Sequence, residues 1–170
     1  MDFRAVEKKQ WEIREVRKML PERSKVVLYD TLKKDTRHRS QIFKDLDALV
    51  VLYEGKIDGR LQGHYVCLLP RATHIEYVSS MGLSPAHETT ILHLDHKAFN
   101  RVLGKNYKYS RVRLQRDRYD VNTCALFCVA RCYLHKWPLQ KFQKFLLKKE
   151  HLQNPDDKVA LLTMLHSSGN

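Results

Sequence analysis

Two residues hold the strongest chemical signals, a cysteine and a histidine. Cys124 follows Asn122 and Thr123, both capping types, and opens the apolar run Cys124 to Tyr133. That places a thiol at a loop-to-helix junction, where unpaired N–H groups and the helix dipole favour the thiolate. A thiolate there is a nucleophile in need of a base. His64, after Gly63, opens the apolar stretch His64-Tyr65-Val66-Cys67-Leu68-Leu69. From the end of a strand, an imidazole can reach across a cleft to a helix start. Taken singly, each has a plainer reading, as a buried helix-start cysteine and as one of nine histidines.

Other groupings carry less. Cys128, Cys132 and His135 share a helical face and, with Cys124, are of the types zinc takes. Their neighbours Ala125, Leu126, Val129 and Ala130 argue for core cysteines on a buried helix, with no metal site. His93 and His96 flank Asp95 on a predicted helix, read as a solvated or partly packed face.

The elements that must position the cysteine and histidine follow from patterning. Residues 2–20 read as one helix with Phe3, Val6, Ile13, Val16, Met19 and Leu20 inward, stopped by Pro21. Residues 25–32 hold a short strand or turn, and 41–47 a helical segment. Strands are predicted at 48–53, 64–69 and 75–79, with Asp58-Gly59 as a turn, in an antiparallel meander. A further strand is predicted over 109–114. Helices are predicted at 85–103 (with Gly104 past the end), at 124–133, from Pro138 with Leu139, Phe142, Phe145 and Leu146 inward, and from Pro155 to near His166. The class is α+β, a central mixed or antiparallel sheet flanked by helices.

At 170 residues the chain suits one domain with a real core. No apolar run approaches the roughly 20 residues that span a bilayer, and residues 1–20 lack an apolar signal core. An intracellular, non-secreted protein with reduced thiols is expected, with no membrane partner. Lys and Arg total 31 against 19 Asp and Glu, a net charge of +12. Such charge suits polyanion contact without specifying sequence. The basic groups are Arg111, Arg113, Arg116, Arg118 and Arg131; Lys136, Lys141, Lys144, Lys148 and Lys149; and Arg4, Lys8, Lys9, Arg14, Arg17 and Lys18. Of these, Arg111, Arg113, Arg116, Arg118, Lys141, Lys144 and Lys148 are the nucleic-acid candidates. The plainer reading is a set of solvated faces.

Several blocks together resemble one family. They are Ala48-Leu-Val-Val-Leu-Tyr-Glu54, Gly63-His64-Tyr65-Val66, Ile75-Glu-Tyr-Val-Ser79-Ser80-Met81-Gly82, Leu114-Gln115, and Asn122-Thr123-Cys124-Ala125. They are similar, over residues 25–135, to the adenovirus-type (adenain) and Ulp-like cysteine proteases, most of all to versions from DNA viruses and virus-like transposons. That family reads Gly-His-Trp, then Phe-Asp-Ser-x-Gly, then Gln, then Cys-Gly at a helix start. The resemblance implies a single protease domain over 1–170 that cleaves viral structural or precursor proteins through an acyl-enzyme. It implies His64 as base, Cys124 as nucleophile, and Gln115 with the Cys124 N–H as oxyanion donors. It further implies DNA or an activating peptide as possible cofactors, a monomer, and a place in the host cell, the nucleus or the virion.

The chain departs from the pattern at four points. Tyr65 stands for Trp, Ala125 for Gly, and Gln115 lies nine residues before Cys124, so Asp117 or Asn122 could stand in its region. Ser79 occupies the acid position. A hydroxyl can orient an imidazole but cannot stabilise imidazolium as a carboxylate does. Three readings stay open: Ser79 supports a two-residue core, Glu76 is recruited from the opposite strand face, or catalysis is weakened. Two other functions remain: deconjugation of a ubiquitin-like tail, and a weakened protease fold that binds DNA or a capsid.

Overall fold

The computed structural model describes residues 3–117, 121–149 and 154–167. A five-stranded mixed sheet, ordered β1 to β5 across its width, is covered by helices on both faces. The strands are β1 (Ser24–Leu28), β2 (Ala48–Ile57), β3 (Arg60–Pro70), β4 (Ile75–Ser79) and β5 (Lys108–Tyr109). β2, β3 and β4 form the antiparallel meander, and β1 and β5 join its two edges in parallel.

Side-chain alternation divides the core. Leu49, Val51, Tyr53, Val66, Leu68 and Tyr77 face one side. They meet α3 (Tyr29–Lys34), α4 (Arg39–Ile42) and α6 (Lys97–Leu103) through Tyr29, Leu32, Ile42, Phe99 and Val102. Ala48, Val50, Leu52, Tyr65, Cys67 and Leu69 face the other side, against α2 (Ile13–Met19) and α7 (Cys124–Tyr133). Beyond α7 a third cluster joins Leu126 and Phe127 to α8 (Leu139–Leu147) and α9 (Pro155–Ser167). Nine consecutive residues of α7, Cys124 to Arg131 and then Cys132, are buried, so it is a central helix packed all round.

Several expected elements are cut shorter. The single helix over 2–20 is two, α1 (Phe3–Lys8) and α2, broken at Lys9–Glu12. The break is stabilised from outside the helix, since the Tyr65 hydroxyl donates to the Trp11 carbonyl at 2.8 Å. The Glu15 carboxylate accepts from the Glu12 N–H at 3.0 Å and starts the second helix. The helix over 85–103 is also two, α5 (Pro85–Ile91) and α6. Between them His93 has φ of 53°, and Asp95 accepts from the Lys97 N–H at 2.9 Å. His93, Asp95 and His96 therefore lie in a linker. The strand over 109–114 shrinks to Lys108–Tyr109, because the Leu114 and Gln115 N–H groups turn to the Ser80 carbonyl, at 2.8 and 3.0 Å. The 41–47 segment is only the short α4, ending at Ile42.

β2 and β3 outrun their neighbours. β1 pairs only as far as Leu52, and β4 pairs only from Val66 to Pro70. The ribbon Tyr53 to His64 thus projects from the sheet. Gly55 brings it close to the α5–α6 linker, where a Cβ would lie 2.3 Å from the Leu92 carbonyl oxygen. No helix among the described residues is long and apolar enough to cross a membrane.

Candidate active site

His64 lies two residues beyond the last β3–β4 pair, Val66 with Ser79. Its side of the ribbon is that of Val66 and Tyr77, whereas Cys124 packs on the opposite face with Tyr65. The two meet because β4 stops: the gap past Ser79 lets the imidazole reach the start of α7. One ring nitrogen, Nε2, lies 3.2 Å from Ser79 Oγ and 3.1 Å from Glu88 Oε1. The ring also interacts with the Cys124 thiol, while its Nε2 faces Ser79 and Glu88.

Glu88 is the residue that sequence reasoning missed. It sits one turn into α5, whose start is set by Ser84 accepting from the His87 N–H at 3.3 Å and by Pro85 in the first turn. Its side chain is 3% exposed, and both oxygens are occupied. Oε1 takes His64 and the Ser79 hydroxyl, while Oε2 takes the Tyr77 hydroxyl, itself 3.0 Å from the Tyr53 hydroxyl. The signal in the sequence was an acid on the inward stripe of a helix, between Pro85 and Leu92, where burial needs a partner.

Charge separation across the pair is favoured. Burial by itself would lower the His64 pKa, but the Glu88 carboxylate and the Cys124 sulfur push it up to about 10. Burial would raise the Cys124 thiol, yet it is held below its ordinary value by the His64 hydrogen bond and charge and by the Tyr65 and Ala125 N–H groups. The arrangement can therefore hold a thiolate beside an imidazolium that a carboxylate orients.

Two of the expected third members change standing. Ser79 is in place, but as a bridge that donates to Glu88 while it touches His64. Glu76 is not available. It faces the other side of β4, 2.6 Å from the fully buried Arg131 Nη2 and 3.3 Å from Arg71 Nη2. Those contacts tie β4 to α7, and Arg131 and Arg71 also hold the backbone carbonyls after that helix.

Gln115 is buried between Ser80 and Val121. Its Oε1 accepts from the Ser80 hydroxyl at 2.8 Å, and its Nε2 donates to the Val121 carbonyl at 2.9 Å. One amide hydrogen of Nε2 remains beyond that bond. Ahead of the cysteine, Thr123 donates to Asp156 of α9. Asp156 also accepts from the Arg116 N–H and Nε at 3.2 and 3.0 Å, and Arg116 pairs with Glu7 of α1. Asn122 is half-buried and gives its side-chain amide to the Lys8 carbonyl, and Asp117 is exposed and paired with Arg113.

A groove of about 440 Å³ runs to Cys124 between Gln10–Ile13 and the projecting ribbon. Tyr65, Ala125 and Asn122 line it with Cys124.

The remaining candidates are scattered. Arg131 has no exposed surface and Arg116 is committed to Asp156 and Glu7, so neither is a free cationic contact. Arg111, Arg113, Lys141, Lys144 and Lys148 are exposed. Arg118 and the side chain of Arg4 lie outside the described residues. Cys132 Sγ is 3.8 Å from Cys67 Sγ, and His135 instead contacts the Cys132 carbonyl and lies 3.6 Å from Asp47. The zinc grouping is thus not brought together, and no group of three or more metal-ligating side chains occurs among the described residues.

No family model matches the chain. It is 24% identical over 164 residues to the uncharacterized protein V9 of the Sputnik virophage, a match covering 88% of this chain and 91% of that protein. Among solved structures it is similar to the central domain of the uncharacterized Lpg1148 protein from Legionella pneumophila, at a TM-score of 0.47 and 16% identity over 94% of this chain and 97% of that one.

Proposed function

We propose that this protein is a cysteine-type endopeptidase of the adenovirus-protease and Ulp-like kind, with Cys124 as nucleophile, His64 as base and acid, and Glu88 as the orienting carboxylate. One observation carries the reading: a single imidazole stands between a thiol at a helix start and a buried carboxylate. Thiolate at Cys124 attacks a peptide carbonyl carbon, and the oxyanion forms beside the helix N-terminus, with Gln115 Nε2 as a further donor. The His64 imidazolium gives its proton to the leaving amine nitrogen as the C–N bond breaks. Neutral His64 then takes a proton from water, whose oxygen attacks the thioester. The acid product leaves and the thiolate returns. Glu88 touches no substrate in this scheme; it fixes the imidazole and stabilises its charge.

The similarity to a virophage protein suits a viral setting, with structural precursors as substrates. Arg111, Lys141 and Lys144 are exposed to a polyanion such as DNA, with Arg111 lying over the Tyr109 ring and Lys141 over the Trp137 ring.

The test is labelling by a peptide bearing a thiol-reactive warhead across pH. Fast labelling near neutral pH, confined to Cys124 and lost in His64→Ala, is expected. A rate no faster than that of a free thiol, and indifferent to His64, would overturn the proposal.

A further inference from the structure

We propose that the groove beside Cys124 selects a peptide with a basic side chain, held by Glu54 close to the bond that is cut. The proposal rests on the peptidase reading above. Leu52, Glu54 and Lys56 of β2, and Leu61, Gly63 and Tyr65 of β3, share one face of the ribbon, since Leu52 pairs with Tyr65, Glu54 with Gly63 and Lys56 with Leu61, and Lys56 alone of these lies outside the groove lining. That face is the wall of the groove. It is largely apolar, with Leu61 66% exposed, as a surface that takes substrate side chains requires.

Against this background the charge distribution is one-sided. The chain carries 31 Lys and Arg, yet among the described residues the groove is lined by no lysine or arginine and by two carboxylates, Glu12 and Glu54. Glu12 is taken, 2.6 Å from Arg14 Nε. Glu54 is exposed and, among the described residues, makes no ion pair or side-chain hydrogen bond. An unpaired carboxylate at an apolar wall is complementary to a Lys or Arg whose stem lies on the leucines and whose head meets the charge.

Gly63 supplies the space. Its φ lies outside the left-handed region, so the backbone does not require glycine. A Cβ there would meet nothing nearer than Leu52 Cδ1 at 3.4 Å, so the core does not require it either. What glycine leaves is room opposite Glu54, immediately before His64. At about 3.3 Å per residue of extended peptide, a side chain seated there belongs within roughly three residues of the bond held at Cys124.

The experiment uses the full chain carrying Cys124→Ala, which binds without cutting, against a randomised hexapeptide library read by sequencing the retained peptides. Lys and Arg should be enriched over Gln by about fivefold at one position, the size expected of an exposed ion pair. Glu54→Gln should abolish that enrichment, and Glu54→Lys should replace it with Asp and Glu. Gly63→Val should weaken retention of the basic peptides. Enrichment of Lys and Arg that survives Glu54→Lys overturns the proposal, as does a library retained with no basic preference or not retained at all. Because the readout is binding, it is independent of Cys124 reactivity: an unreactive thiol with an intact Glu54 preference would sink the peptidase reading alone.

Discussion

At the residue scale the site turns on which carboxylate meets His64. The ordered blocks around His64 and Cys124 made the pair legible in the sequence, and strand alternation already placed Ser79 and Glu76 on opposite faces. Glu88 was not legible as the orienting carboxylate, because it reaches His64 from a helix nine residues after Ser79, and only the turn at Ser80–Met81 and the segment after it bring it back over β4. Glu88→Gln should therefore slow labelling of Cys124 near neutral pH by on the order of a hundredfold, as expected for loss of an orienting, charge-stabilising group. Ser79→Ala, which keeps the carboxylate, should cost about tenfold or less. The pH profile gives the sign. Thiolate is lost as pH falls through the lowered Cys124 value, and imidazolium is lost as pH rises through about 10. The rate of amide cleavage should rise on the acid side and fall only near pH 10, with both limbs belonging to the coupled pair. The raised His64 value also means that its contribution to stability is complete below about 6.5, its unfolded value, and is lost as pH rises through about 10. In Glu88→Gln the alkaline limb should move down, read as initial rate against pH.

At the element scale, α7 presents Cys124, the proposed nucleophile, and two ionic groups hold the helix. The strands and α7 could be read from sequence because each is a continuous or alternating apolar segment. The long helices predicted at 2–20 and 85–103 could not be divided, since their breaks depend on partners far along the chain: the Tyr65 hydroxyl on Trp11 and the Tyr29 hydroxyl on the Asp95 carbonyl. The same is true of Arg131, whose place in a cluster of basic residues hid a fully buried ion pair with Glu76. Removing one partner leaves a buried charge unpaired, so Glu76→Gln should destabilise the fold by about 3–5 kcal/mol. Its denaturation midpoint should drop while the folded fraction keeps its Cys124 labelling rate, the opposite of Glu88→Gln. Asp156→Asn should act in between. It weakens the anchor on Thr123 and Arg116, so both stability and labelling should fall, and labelling should partly recover when α9 is stabilised by added sulfate or another excluded salt.

At the scale of the whole molecule, charge and fold are sorted. Among the described residues the groove is lined by Glu12 and Glu54 and by no lysine or arginine, whereas the exposed Arg111, Lys141 and Lys144 lie outside it. Net charge alone could not separate these surfaces, because it counts the buried Arg131 and the paired Arg116 with the exposed Lys141 and Lys144. If DNA is a partner, the exposed set carries it, and each phosphate contact contributes about 0.9 to the slope of log affinity against log salt. Lys141→Gln with Lys144→Gln should lower that slope by roughly 2 for duplex DNA of any sequence, measured by fluorescence anisotropy over a salt series. Sequence should not matter, because contacts of this kind go to phosphates and read no base edges. The two lysines lie on the solvent side of α8, whose inward residues are Phe142 and Leu146, so the substitutions should leave Cys124 labelling unchanged and, through loss of the exposed Lys141 contact over Trp137, lower stability by no more than about 1 kcal/mol. An unchanged slope would move the polyanion surface off α8. A slope that fell together with labelling would mean that the two surfaces are coupled through the cluster in which α7, α8 and α9 pack together.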